Sequence, residues 1–286
     1  MEHISKKMIS DIMAENPHVD RALALRLELT EAYANVEIVK ARAQLAPNCG
    51  ACWLETNGSY STFDGIASPV TQNSAMGMAA PVNCEALQLI ETFFLERNCE
   101  VRLEISPLTD ESVLPLLRER GYHLSAMTSV MLRPVATKQH RERPLASNVT
   151  TRLSRRDERE LWAKVAARGW SQQAQEAHQI FELSTAVTAS PAQTFFAELD
   201  ERPVATGALW LAGGIALLAG ASTIPEQRNQ GAQSALLKTR LDYAADHGCD
   251  LAMMTAAPGS ASQRNAERHG FRIAYTRIKM ILGGRQ

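Results

Sequence analysis

No window of this chain approaches the ~18 or more consecutive apolar residues that a membrane-crossing helix needs, so no membrane association is expected. A surplus of one charge is also missing. Lys and Arg number 30, Asp and Glu 31, and the formal net charge is -1. Nothing here supplies the basic field that a nucleic-acid backbone requires, so any polyanion must be small and gripped locally. Residues Met1 to Asn16 interleave Lys6, Lys7, Asp11 and Glu15 with apolar residues, unlike the unbroken apolar stretch of a secretion signal. Cysteines are few and odd in number: Cys49, Cys52, Cys84, Cys99 and Cys249. Together these features predict a cytoplasmic protein with reduced thiols. Cys49-Gly50-Ala51-Cys52 has the spacing of half a zinc or redox site, but no second CxxC or histidine cluster completes it. The seven histidines contain no HExxH, so no metal is expected and two partly buried thiols at a turn are the simpler reading.

What is present is a core. Hydrophobic residues make up 45% of the 286 and charged residues 21%, the balance of a globular protein long enough for two ordinary domains. Apolar residues at three- and four-residue steps (Ile9, Ile12, Met13, then Ala22, Leu25, Leu29) predict helix over the first 45 or so residues, broken at Asn16-Pro17. From Ala51 to Met78 short apolar runs punctuated by Gly, Ser, Thr and Asn predict strands and turns. A helix is expected at Cys84 to Arg97, a strand at Val101 to Ile105, a helix near Glu111 to Arg120 closed by Gly121, and a strand at His123 to Arg133.

Residues Pro134 to Val149 lack periodicity and read as a linker, which divides the chain into domains at 1–135 and 150–286 with 136–149 between them. Beyond it Ser154 is the expected cap of a helix reaching Ala167, with Asp157 in the capping-box position. A second helix is expected at Gln172 to Ala186, then strands at Thr194 to Leu199, Pro203 to Leu211 and Ile215 to Ser222. A helix at Gly231 to His247, a strand at Asp250 to Thr255, a helix near Ser262 to His269 and a strand at Arg272 to Leu282 complete the series. The halves repeat: Cys99-Glu100-Val101 returns as Cys249-Asp250-Leu251, and Gly121-Tyr122 as Gly270-Phe271, at nearly one offset and with one order of elements.

The sharpest local pattern runs from Ser222 to Leu237. A strand ends, a short loop follows, and a helix opens at Gly231. The first turn of a helix carries unpaired N–H groups and partial positive charge, which suits a pyrophosphate. Gly231 has no side chain to block the approach, and Arg228 adds a nearby cation. No Gly-Lys-Ser/Thr and no GxGxxG is present, so this is neither a P-loop nor a dinucleotide fingerprint. It resembles the acyl-CoA loop of the GNAT superfamily of N-acetyltransferases, Gln/Arg-x-x-Gly-x-Gly/Ala. Here the form is Gln227-Arg228-x-x-Gly231-x-Gln233, with Gln233 where the family prefers Gly or Ala. The segment Ser262 to Phe271 resembles the late GNAT helix that carries an Asn and ends in Gly-Phe. The resemblance covers residues 150 to 286, and reaches the first half through element order and Gly121-Tyr122.

The resemblance implies an α/β (α+β) fold of two tandem GNAT-like domains, each a central mixed, mostly antiparallel sheet flanked by helices. It implies acetyl-CoA as cosubstrate and transfer to the primary amine of a small acceptor. It assigns cofactor binding to Gln227, Arg228, Asn229, Gln230, Gly231, Ala232, Gln233 and Ser234 in the loop, to Ser222, Thr223 and Ile224 on the preceding strand, and to Asn265. The strand residues would pair with the extended pantetheine arm as an added strand does. Many members place a tyrosine acid four residues before the late glycine; here Ala266 stands there, leaving Tyr275 as a substitute acid and Glu226 as a base acting through water. Each has a plainer reading, Tyr275 as a strand aromatic and Glu226 as a solvated carboxylate. Trp53, Tyr60, Phe63 and Trp170 are candidate acceptor contacts or simply buried aromatics. The first half has no CoA loop, since Ala79-Ala80-Pro81-Val82-Asn83 precedes its helix, and is expected to bind none. Rival readings are a non-catalytic acyl-CoA-binding module and an interaction protein with a vestigial site; the assembly is expected to be a monomer or homodimer.

Overall fold

A computed structural model of the protein describes residues 17–65, 74–77, 82–135, 148–170 and 174–283. Helix α1 (Arg21–Leu45) opens it; the Asp20 carboxylate accepts from the Leu23 amide and caps the helix. Strands β1 (Cys52–Thr56) and β2 (Ser59–Phe63) form a hairpin. Its turn is Asn57-Gly58, both residues at positive φ (48° and 72°), the conformation that matches hairpin twist. Then come β3 (Ser74–Met76), α2 (Cys84–Leu95) capped by Asn83, β4 (Arg102–Ile105), α3 (Val113–Glu119) and β5 (Tyr122–Pro134). The second half runs β6 (Val149–Leu153), α4 (Arg159–Trp170), α5 (Ala174–Ala189), β7 (Gln193–Leu199), β8 (Arg202–Ala212) and β9 (Ile215–Thr223). It ends with α6 (Ala232–Asp246), β10 (Leu251–Ala256), α7 (Ala261–Arg268) and β11 (Arg272–Leu282).

Two local expectations shift. Val149, taken with the linker, and Thr150–Leu153, for which no element was expected, form a strand, because they pair antiparallel with β7 from Val149 opposite Leu199 to Leu153 opposite Phe195. Ser154 does not cap the next helix: its amide donates to the Thr194 carbonyl at 2.8 Å, extending the ladder. The box forms one residue later, where the Glu158 carboxylate accepts from the Arg155 amide at 2.8 Å. The linker residues 136–147, the helix expected around Ile9 to Met13, and Ala79 to Pro81 lie outside the described residues.

The strands form one mixed sheet in the order β1-β2-β3-β4-β11-β5-β10-β9-β8-β7-β6, mostly antiparallel, with β3–β4 and β9–β10 parallel. The expected central sheets are thus continuous across the two halves. The join is reciprocal. Strand β11 lies between β4 and β5, while β5 lies between β11 and β10. Each half's last strand therefore completes the ladder of the other.

Two apolar clusters flank the sheet. One belongs to the first half, built on Leu87, Ile90, Phe94, Leu103 and Val113. The larger belongs to the second half, yet it takes Ala24, Leu27, Ala34 and Ile38 from α1. Between them is a buried ionic knot. The Arg277 guanidinium of β11, wholly buried, donates to Glu28 at 3.1 Å and Glu31 at 2.8 Å on α1 and to Glu104 at 3.0 Å on β4. Removing one partner of such a pair leaves an uncompensated charge, at a cost of ~3–5 kcal/mol. The first half is thereby locked to the second by sheet, core and charge. Among the described residues no helix is long and apolar enough to cross a membrane.

Candidate active site

The site begins as a fault in the sheet. Strands β8 and β9 keep register to Thr206 opposite Ser222, then slip, so that Gly220 and Ala221 face the single residue Gly207. Gly220 takes φ +59°, and a Cβ there would meet the Ala208 Cβ at 3.2 Å, so glycine fits the bulge. On its other side β9 pairs with β10 only from Ile215 to Leu217. Beyond those residues the two strands part. Along the gap Ala219, Gly220 and Ala221 are half-buried while their neighbours in β9 are buried.

Arg240 supports the bulge from α6. Its guanidinium is fully buried and donates to the Ala208 carbonyl at 3.1 Å and the Ala219 carbonyl at 3.2 Å, one from each strand. A Cβ on Gly207 would lie 2.9 Å from the Arg240 Cζ, which explains glycine there. Among the described residues no carboxylate forms an ion pair with Arg240, and burial pushes its pKa down to about 10.

At the end of β9 lies the loop expected to bind an anion. Asn229 (φ 63°) and Gly231 (φ 84°) both adopt the left-handed conformation, which turns the chain sharply into α6. Gly231 is the N-cap and no side chain caps the helix, so the first-turn amides have no side-chain acceptor. These amides open onto a cavity of about 680 Å³ that extends along the β9 end to α4, α7 and Met254. It is lined by Ser222, Thr223, Gln227, Arg228, Asn229, Gly231, Ala232, Gln233, Ser234 and Asn265 from the expected set. Asn265 also accepts a hydrogen bond from the Ser234 hydroxyl at 3.3 Å, which ties α7 to the first turn of α6.

Two expected residues stand outside this wall. The Ile224 amide donates to the Val204 carbonyl at 3.0 Å, and the side chain is buried. Gln230 is exposed and donates to the Gln227 side chain at 2.7 Å. Arg228 does line the cavity, but its guanidinium turns toward main chain, donating to the Gly169 carbonyl at 3.0 Å and the Thr223 carbonyl at 3.4 Å. Gln233 folds back: its amide donates to the Ser222 carbonyl at 2.8 Å and the Thr223 hydroxyl at 2.9 Å, bridging helix and strand. That carbonyl is therefore occupied. Arg268, which lines the same cavity, was missed, since a surface arginine near a helix end has no distinguishing local signal.

Neither catalytic candidate reaches the cleft. The Tyr275 hydroxyl is buried and donates to the Glu28 carboxylate at 2.7 Å. Burial and the neighbouring carboxylate raise its pKa far above the usual phenol value. Glu226 is exposed and pairs with Arg168 at 3.2 Å; its own backbone amide and then that arginine hold its pKa below the usual value. Ala266 is fully buried in the core, so that turn of α7 offers no hydroxyl either. Trp170 alone of the four aromatic candidates borders the cleft. Trp53 and Tyr60 lie with ring centroids 6.4 Å apart, tilted by 31°, on the first-half hairpin, and Phe63 is core.

A second cavity, about 490 Å³, opens on the other side of the exposed strand edge. The two share Trp170, Ala221, Met254 and Ser262. Its walls come from α1, α4, α5 and the parted strands, and include Trp162 and Trp210, neither anticipated from the sequence. The arrangement is a long groove with anion-ready amides at one end and a mostly apolar chamber at the other. The two meet where the strand backbone is exposed.

Residues 155–271 match the profile of the Acetyltransferase (GNAT) family. The whole fold is similar to a GCN5-related N-acetyltransferase from Kribbella flavida (TM-score 0.60, 18% identity, 87% of this chain and 96% of that one). It is also similar to a tandem GNAT protein from the clavulanic acid biosynthesis pathway (TM-score 0.54, 11% identity, 91% and 98% covered). A conserved protein of unknown function from Staphylococcus epidermidis ATCC 12228 shares the fold at TM-score 0.56 and 12% identity, with 84% and 96% covered. No curated protein matches the chain.

Proposed function

From a GNAT acetyltransferase domain that holds this groove, we propose that the protein transfers acetyl from acetyl-CoA to the primary amine of a small molecule. The observation that carries the reading is the continuity of the groove: uncapped amides after Gly231, an exposed strand edge, then a chamber of acceptor size. The first-turn amides of Ala232, Gln233 and Ser234 would hold the diphosphate, with Arg268 and Asn265 on the facing wall. The Ala219–Ala221 edge would receive the pantetheine arm as an added strand. The cosubstrate supplies an activated thioester. The acceptor nitrogen forms a bond to the acetyl carbon as the carbon–sulfur bond breaks; the nitrogen sheds a proton and the departing sulfur takes one up. With Tyr275 and Glu226 both turned away from the cleft, the protein's part is positioning of the two substrates along the groove. The first half contributes α1 to that chamber, and we place its boundary in residues 136–149.

Gly231→Trp tests the reading. A large side chain in left-handed backbone at the loop is strained and covers the amides, so calorimetric binding of acetyl-CoA should vanish while circular dichroism stays unchanged. Unaltered affinity would remove the cofactor assignment. The inward turn of Tyr275 and the burial of Ala266 favour one alternative, a non-catalytic acyl-CoA-binding module. It predicts binding without thiol release on any amine, and a thiol-release screen decides between the two.

A further inference from the structure

The chamber's wall chemistry narrows the acceptor. Three tryptophans, Trp162, Trp170 and Trp210, line it together with the aliphatic Ile38, Ile180 and Leu183. Among the described residues a single ionisable one lines it, Glu31 of α1. Asn35, Ser184, Thr255 and Ser262 add neutral polar atoms. Glu31 is rigidly placed: one carboxylate oxygen accepts from the buried Arg277 at 2.8 Å, and 18% of the side chain remains exposed. The knot behind it sets three carboxylates, Glu28, Glu31 and Glu104, against two cations, Arg277 and Lys279. Its charge is one negative with Glu28 ionised and zero with Glu28 protonated, so in neither state does it repel a cation. Among the described residues no lysine, arginine or histidine lines the chamber to hold an anion.

We propose that the acceptor is a primary amine on a compact apolar body, an aromatic ring or branched alkyl group, whose amino group is received by Glu31 and which carries no carboxylate of its own. The inference rests on the acetyltransferase reading for turnover, though not for binding. A volume of about 490 Å³ is within the range of small-molecule pockets. It accommodates a ring packed between indoles, where flat apolar groups gain most. A polyamine would leave its distal ammonium without a partner among apolar walls, and an amino acid would set its carboxylate beside Glu31.

The comparison of 2-phenylethylamine with phenylalanine isolates the point, since the two differ by one carboxylate. Titrated into the unaltered protein without cosubstrate, 2-phenylethylamine should change tryptophan emission saturably, at concentrations at least tenfold lower than phenylalanine or spermidine. With acetyl-CoA, kcat/KM for 2-phenylethylamine and 3-methylbutylamine should exceed that for phenylalanine and spermidine by at least tenfold. In Glu31→Gln the KM for the amine should rise tenfold or more with less change in kcat, and discrimination against phenylalanine should narrow. Leu183→Trp, which fills the chamber, should abolish amine binding and leave acetyl-CoA affinity intact. Equal responses to the paired ligands, or turnover confined to polar amines, overturn the acceptor class. Loss of acetyl-CoA binding from the unaltered protein overturns the acetyltransferase reading instead, while the fluorescence preference still decides what the chamber binds.

Discussion

Tyr275 shows how one hydroxyl can be assigned by what it touches. It donates to Glu28 inside a knot where the Glu28 Oε2 already lacks a partner, and burial raises the Glu28 pKa. Its job is to satisfy a buried carboxylate. Tyr275→Phe should therefore keep kcat within about twofold and lower stability by ~1–3 kcal/mol, the range for leaving a buried polar group unpaired. Steady-state kinetics beside a urea titration check both halves; a kcat loss of tenfold or more would return Tyr275 to the reaction. The same residue marks a limit of sequence reading. Loop residues from Gln227 to Ser234 are contiguous, so their shared role is legible in one string. Glu31, Trp162, Trp210 and Thr255 line one chamber from four separate elements, and no local spacing announces that. Arg228 and Gln233 were legible as loop members, but which atoms they would turn on required coordinates.

At the scale of elements, periodicity recovered the helices and strands among the described residues within a few positions, because each buries one apolar face. The exception, β6, is instructive. Its burial pattern is irregular, with Thr150, Thr151 and Arg152 in sequence, so alternation is weak. It is a strand because β7 offers a ladder and because polar side chains fasten it. Arg152 bridges Glu158 at 2.7 Å and Glu198 at 2.8 Å. The Glu158 pKa is held down to about 2, chiefly by the Arg152 hydrogen bond. A carboxylate with a depressed folded pKa contributes stability above its unfolded value of ~4.3 and loses it as pH falls toward about 2. Glu158→Gln should thus cost ~1.5–3 kcal/mol at pH 7 and progressively less from pH 5 downward. Urea midpoints for both proteins at pH 7 and pH 3 give the comparison. A constant difference across that range would mean the pair contributes nothing through its charge.

At the scale of the whole molecule, the sequence repeat pointed to two similar halves, but nothing local could say that they exchange strands. Strand partners are chosen across the chain, and both ladders of β11, with β4 and with β5, use the first half. That topology makes a strong prediction about residues 150–286 expressed alone. The fragment retains the loop, the exposed strand edge and most of the larger cluster, which is all that the family profile spans. Yet β11 would have no partner strand, β10 would lose its ladder with β5 from Ser129 to Pro134, and the core would lose Ala24, Leu27, Ala34 and Ile38. Arg277 would keep none of Glu28, Glu31 and Glu104. Open edges of this length template aggregation, and an unpaired buried cation costs several kcal/mol against a total stability of only ~5–15 kcal/mol. The fragment should be insoluble or lack a cooperative unfolding transition. Co-expression with residues 1–135 should restore a soluble complex that binds acetyl-CoA with the affinity of the intact chain, since a cut within 136–149 leaves both ladders of β5 whole. A monomeric, cooperatively folded fragment with that affinity would show the strand exchange to be dispensable. It would also detach the first half from the proposed site, because α1, which brings Glu31 to the chamber proposed for the acceptor, would then be absent from a competent cofactor domain.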